Sequence, residues 1–298
     1  MAEADPRGSE PIAPTASVGS GVMPTGRNLS QAIATAVVLL LLIIAAYALG
    51  PDYFFWLAAA AVLLALLELL VALRTARRRP VIPFAMLCAL GGLLAAYFRP
   101  ERPELLVLVA GVAAFGSLVL LLRPTRGPTP GSDSAWTLLA VLWIGGGGAA
   151  AVSILALSAS GNARLGMNFL VAHVLITALD DSTAYFVGTR WGRHKLAPAI
   201  SPGKSWEGLA AGSVVALGAG AAFGGLIGEL GVMNGLAIGL IDSAFAPAGD
   251  LTESAVKREL GIKDSGYLLP GHGGFLDRLD AIVFCCPAVL VYLRFVVV

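Results

Sequence analysis

The sequence predicts an all-α, polytopic integral membrane protein with about nine transmembrane helices, and three observations carry that expectation. Hydrophobic residues make up 57% of the 298, and charged residues only 13%. A soluble domain carries about 25% charged residues, so this chain could not clothe a water-facing surface. The mean hydropathy is +0.81, and apolar runs long enough to cross a bilayer recur along nearly the whole length. In hydrocarbon every backbone N–H and C=O must be satisfied within its own segment, which selects helices.

Taken in order, residues 1–28 differ from the rest. Pro, Gly, Ser and Ala dominate there with no hydrophobic period, which predicts a disordered extension. The basic, then apolar, then small-residue order of a signal peptide is not seen in it. Spans follow at roughly 31–49, 53–74, 81–98, 104–122 and 136–158, then 165–188, 207–228, 233–256 and 279–297. The fifth contains "GGGG" (145–148) and the seventh is rich in Gly and Ala, as expected of helices packed closely in lipid. The eighth holds Asp242, Pro247 and Asp250, which suit it poorly to face lipid.

Basic residues cluster after the even-numbered spans: "RTARRR" (74–79), then Arg123 and Arg126, then Arg190, Arg193, Lys195 and Lys204, then Lys257, Arg258 and Lys263. By the positive-inside rule these loops are cytoplasmic, the N-terminus inside and the C-terminus outside. Arg99 and Arg102 sit on the other side, accompanied by Glu101 and Glu104. Cys88, Cys285 and Cys286 lie within apolar runs and form no metal or disulfide framework. The net charge of +1 points to no nucleic-acid partner.

Polar chemistry gathers in the last third. Earlier, Glu68 in the second span reads as an intramembrane acid with a function or as a helix–helix contact, and His173 as a satisfied buried histidine. In "LDDSTAYFVGTRWGRHKLAPAISPGKSWEG" (179–208), Asp181, Tyr185 and Gly188 fall on one helical face. Ser201 or Ser205 is placed to cap the next helix, and Glu207 suits its first turn. Further on, Asp250, Glu253, Ser254 and Lys257 share one stripe of a helix. "PGHGG" (270–274) cannot form a regular helix, and its glycines expose N–H groups to a bound anion. Asp277 and Asp280 then open the last span on one face. Acids from two helix ends, a glycine turn and several cations are what a nucleotide–metal site needs. No Walker motif is present, and no G-x-G-x-x-G follows a strand.

The run "SAVKR", "KD", "PGHGG" and "DRLD" resembles the signature of phosphatidate cytidylyltransferases, and the preceding "GDLTES" is similar to the family's too. "DSTAYFVG" and "SPGKSWEG" resemble further family blocks, so the likeness covers residues ~180–284, about a third of the chain. The resemblance implies an integral membrane enzyme that condenses CTP with phosphatidate, yielding CDP-diacylglycerol and pyrophosphate. It implies Mg²⁺, with K⁺ the candidate second cation, a homodimer, and a bacterial plasma-membrane location with the site facing the cytoplasm. Carried over by motif position, Asp250 and Asp277 are the expected metal acids, and Ser254, Lys257 and Arg258 serve the substrate phosphates. Lys263, Asp264 and His272 line the site, and Asp280 is a second acid or orients Arg278. Asp181, Tyr185, Ser201, Lys204, Ser205, Glu207 and the glycines Gly271, Gly273 and Gly274 are expected at the substrates.

The chain divides accordingly into an extension (1–28), N-terminal transmembrane helices (29–160) and a C-terminal catalytic region (161–298) whose signature spans 254–280. The nearest alternative is a CTP-dependent kinase or transferase acting on a polyprenol or an ether lipid. A CDP-alcohol phosphotransferase would carry a D-G-x-x-A-R run, which is absent. A transporter would spread its intramembrane polar groups over two related halves, and a structural scaffold would have no use for clustered acids.

Overall fold

In the computed structural model of the protein, residues 29–122, 130–158, 162–262, 265–266, 268–269 and 273–298 are described, and the extension expected over 1–28 lies outside them. Helix α1 (Leu29–Leu49) is followed by α2 (Pro51–Thr75). The joint is Gly50, whose φ of 118° a side chain would resist, and Pro51 takes a helical position that needs no N–H. Helices α3 (Ile82–Phe98) and α4 (Glu104–Leu120) are parted by the prolines and charges of "RPERP". Helix α5 (Pro130–Ala140) runs through a π-helical stretch, Val141–Gly146, into α6 (Gly147–Leu155), making one rod. Then come α7 (Leu165–Trp191), strands β1 (Lys195–Ala197) and β2 (Ser201–Ser205), α8 (Trp206–Leu226), α9 (Val232–Glu259) and α10 (Leu276–Tyr292).

Among the described residues six helical rods are long and apolar enough to cross a membrane: those over 51–75, 131–155, 165–191, 206–226, 232–259 and 276–297. Three apolar helices are shorter: Ile33–Leu49, Ile82–Phe98 and Glu104–Leu120. The expected all-α class holds in substance with one correction. Residues 195–205 form a two-stranded antiparallel ribbon pairing Lys195 with Ser205 and Ala197 with Ser201. The fifth rod also starts nearer residue 130 than 136, because "PGSDSAW" is a helical first turn on the polar side of the apolar run.

Polar contacts sort the rod ends into two layers. In one layer Arg78 Nη1 donates to Ser132 (2.9 Å), Arg78 Nη2 lies 3.9 Å from Glu259, and the Arg79 N–H donates to Asp133 (3.1 Å). The ends of α2 and α9 and the start of α5 therefore lie together. In the other, Tyr97 donates to Asp52 (2.7 Å), Arg164 to the Ala48 carbonyl (3.1 Å), and Asn162 to Glu229 (2.8 Å). Tyr292 at the far end of α10 donates to Asn234 in the same layer (2.8 Å).

Between the layers the packing is close and apolar. A Cβ built on Gly148 would lie 2.5 Å from Val62, and one on Gly145 would lie 3.1 Å from Ala89, so the glycine quartet does serve tight packing. Helix α8 buries Gly208, Gly212, Ala216, Gly220 and Gly224 along one stripe, which lets α7 and α9 approach its backbone. Cys88, Cys285 and Cys286 are buried free thiols within the packing. Val37, Leu40 and Ile44 on α1 and Val107 and Phe115 on α4 point outward, as lipid-facing side chains do.

Candidate functional site

Helix α9 carries the expected stripe in one line. Lys257 Nζ reaches Glu253 Oε2 one turn back (2.6 Å), and Ser254 Oγ reaches Asp250 Oδ1 (3.4 Å). Each is an i, i+4 pair, which helical geometry brings face to face. From the start of α10, Asp277 Oδ1 accepts from Lys257 Nζ at 3.0 Å. Asp277 Oδ2 accepts the Gly274 N–H at 2.9 Å, so the acid also holds the last glycine of the run. Of the residues described there, Gly273 has φ 83° and accepts the Leu269 N–H on its carbonyl at 2.9 Å. Ser265 adds a hydroxyl to Glu253 Oε1 (2.9 Å).

The ribbon brings the second lysine. Ser205 ends β2 and caps α8, its Oγ accepting the Gly208 N–H at 3.2 Å, which resolves the choice between Ser201 and Ser205. One residue earlier, Lys204 Nζ lies 2.6 Å from Asp250 Oδ2 and 3.4 Å from the Pro247 carbonyl. Glu207 instead turns outward to His194, its Oε1 2.7 Å from Nδ1.

Lys204, Ser205, Asp250, Glu253, Lys257 and Asp277 line a cavity of about 690 Å³ between α7, the ribbon, α9 and the start of α10, whereas Glu207, Gly273 and Gly274 do not. Of the predicted residues, Asp181, Tyr185, Ser201, Lys204 and Ser205 line it from the upstream blocks. Asp250, Lys257, Asp277, Arg278 and Asp280 line it from the signature. Ser254 is joined to it through Asp250, while Arg258 lies outside and donates from Nε to the Ile200 carbonyl (3.4 Å). Lys263, Asp264, Gly271 and His272 lie outside the described residues.

Carboxylate oxygens of Asp250, Glu253 and Asp280 lie within 4.8 Å of one another. Hard oxygen donors gathered so closely fit Mg²⁺, and the two lysines that already stand against Asp250 and Glu253 offset only part of the repulsion among three carboxylates. Asp180 reinforces the fit. It is 1% exposed, lines the same cavity, and neither carboxylate oxygen has a hydrogen-bond partner among the described residues. A buried carboxylate without a partner is what a bound cation would satisfy.

One contributor is not marked by the sequence, and a second is marked without its role. Asp180 sits beside Asp181, one position round the helix, and only the packing of α8 shows that both reach the cavity. Glu68, which the sequence leaves between a function and a helix–helix contact, is 5% exposed on α2, and its Oε2 accepts the Leu276 N–H at 2.9 Å. His173 does prove a satisfied buried histidine, with Nδ1 3.0 Å from Asp242 Oδ2.

Known proteins resemble parts of this chain. A protein of Escherichia coli K12 described as uncharacterized protein YnbB is 40% identical over 127 residues, 43% of this chain and 42% of its own. A phosphatidate cytidylyltransferase of Haemophilus influenzae is 43% identical over 125 residues, 40% of this chain and 43% of its own. One of Bacillus subtilis is 44% identical over 126 residues, 42% of this chain and 46% of its own. The matched chain thus spans less than half the length of these relatives. The pattern of the Cytidylyltransferase family reaches much further, matching residues 30–296 and so taking in the first helices as well as the acid-bearing third: the chain belongs to that family.

Proposed function

We propose that the protein condenses CTP with phosphatidate, giving CDP-diacylglycerol and pyrophosphate. The observation that carries this reading is the cavity itself, where acids and lysines meet at one end of an apolar bundle. A lipid headgroup and a soluble nucleotide need a shared polar site with apolar flanks, and relatives bearing the phosphatidate cytidylyltransferase name support the substrate pair.

Asp250 is common to the metal pair expected from sequence, Asp250 with Asp277, and to the spatial group of Asp250, Glu253 and Asp280. We assign Mg²⁺ to Asp250 and Asp280 with Glu253 and Asp180 beside them, and a second cation, K⁺, to the side of Asp277. Bound there, a divalent cation supplies positive charge to the triphosphate and to the leaving pyrophosphate. The protein's own groups do the rest. Phosphatidate already carries an anionic oxygen at neutral pH, so no strong base is required, and the difficulty is bringing two anions together. Lys204 and Lys257 offset that repulsion, with Arg278 at the cavity rim. The phosphatidate oxygen attacks the α-phosphorus of CTP, a new P–O bond forms, and the α–β bridging bond breaks with its electron pair leaving on pyrophosphate. Holding both substrates in line provides the remaining acceleration.

The nine helical rods among the described residues are read as nine crossings of a bacterial plasma membrane. The layer holding Arg78, Glu259 and the cavity faces the cytoplasm, and the enzyme works as a homodimer.

The test is pyrophosphate release by the detergent-purified full chain given CTP, phosphatidate and Mg²⁺. Release should require all three, stop with EDTA, return with Mg²⁺, and fall by about 10²-fold or more in Asp250→Asn. Turnover only with a polyprenol or ether-lipid phosphate would move the substrate. Silence with every lipid from folded protein would reject the reading.

A further inference from the structure

We propose that Glu68, on the second helix, is a positioning residue that clamps the signature loop and so sets the geometry of the acids at the cavity; the inference rests on the reaction proposed above. Four observations converge on it. Helix α10 begins after Phe275, whose side chain provides no cap, so its first N–H groups need acceptors from elsewhere. Glu68 Oε2 provides one, accepting the Leu276 N–H at 2.9 Å across 208 residues of sequence. A carboxylate at a helix start is also favoured by the helix dipole.

Two described loop residues lie against this carboxyl group. A Cβ on Gly266 would lie 2.5 Å from Glu68 Oε1, and one on Gly274 would lie 2.5 Å from Oε2. Both glycines therefore allow backbone to lie directly against the acid, before and after the turn. The contact then passes to the cavity in two steps. Gly274, pressed on Glu68, donates its N–H to Asp277 (2.9 Å), and Asp277 holds Lys257 (3.0 Å). Ser265, next to Gly266, holds Glu253 at 2.9 Å and donates its N–H to Asp277 at 3.4 Å. Glu68 itself does not line the cavity, so it acts through the loop and touches no substrate. A mere helix–helix contact between α2 and α10 would need neither the two glycines nor the route to Asp277.

The experiment compares Glu68→Gln, Glu68→Asp and Glu68→Ala in full-length protein in detergent, each normalised to folded material. The first readout is pyrophosphate release, with kcat and the KM for CTP resolved separately. The second is hydrogen exchange at the Leu276 amide. Glu68→Gln keeps an acceptor oxygen at the same reach and should stay within a few-fold of wild type in both. Glu68→Ala should lower kcat by about 10²-fold with little change in KM, as expected of a small misplacement of catalytic groups. Its Leu276 amide should exchange about tenfold faster, the loss of one charge-assisted hydrogen bond.

Wild-type kcat and wild-type Leu276 protection in Glu68→Ala would overturn the proposal. So would a Glu68→Gln variant as impaired as Glu68→Ala. If the alanine variant does not fold, Glu68→Asp, whose arm is one methylene shorter, decides: it should lose kcat and protection where Glu68→Gln keeps both, and equal behaviour of the two overturns the clamp. A wild-type protein that turns over no lipid rejects the reaction alone, because exchange at Leu276 still reports whether Glu68 holds the loop.

Discussion

Lys257 joins the two acid-bearing helices, standing 2.6 Å from Glu253 on its own helix and 3.0 Å from Asp277 on the next. Its side chain is 16% exposed and that of Glu253 only 3%, so the charges interact with little water between them. Lys257→Met keeps most of the volume but leaves two carboxylates without their shared counter-charge beside Asp250 and Asp280. It should destabilise the folded protein by about 3 kcal/mol and lower kcat/KM by about 10²-fold or more. A thermal melt in detergent and the pyrophosphate assay check the two parts, and an unshifted melt would show that the acids are neutralised in another way. At this scale the sequence was informative where chemistry follows helical spacing. Asp181 with Tyr185, and Asp250 with Glu253, Ser254 and Lys257, share a face because i+3, i+4 and i+7 positions must. It was silent on Asp180, because neighbouring positions point about 100° apart on a helix and only tertiary packing decides that both reach one cavity. Glu68 was ambiguous for a different reason: an acid in an apolar span advertises a partner without saying which, and its partner is a backbone N–H.

Helix α8, whose polar contacts described above gather at its first turn, is fixed along the rest of its length by small residues. Its stripe of Gly and Ala every fourth residue is legible in the sequence, and the buried set from Gly208 to Gly224 repeats it. What could not be read is which neighbour lies against it, since a small-residue stripe admits any helix of suitable shape. The structure places α9 there: a Cβ on Gly235 would be driven into the Gly220 backbone, whereas one on Gly218 would meet nothing within 4 Å. Gly235→Leu should therefore cost about 3 kcal/mol or more, since backbone cannot yield as a side chain would, and Gly218→Leu should leave the melt unchanged. Equal melting of both variants would show that α8 and α9 do not cross at these glycines. The ribbon over 195–205 was missed at the same scale. "SPGKS" has no apolar alternation to mark a strand, and its pairing with Lys195–Ala197 serves to present Lys204 to Asp250.

For the whole molecule, sidedness was read from basic loops alone, and the two layers of polar contacts group the rod ends in the same alternation. The three native thiols are buried, so engineered cysteines can report exposure cleanly. In sealed inside-out vesicles a membrane-impermeant thiol reagent should label Arg77→Cys and Arg193→Cys and spare Arg99→Cys, with the pattern reversed in right-side-out vesicles. Labelling of Arg77→Cys and Arg99→Cys from the same side would break the alternation. The clamp of Glu68 on Leu276 has a further consequence, in time rather than space. The two residues are 208 apart, and a ribosome adding roughly 5–20 residues per second needs about 10–40 s to make that stretch. During synthesis the second helix thus carries its acid into the bilayer well before the amide that will hold it exists. For that interval the carboxyl group must be met by a proton, by water or by a passing neighbour, and the last helix completes the fold by relieving it.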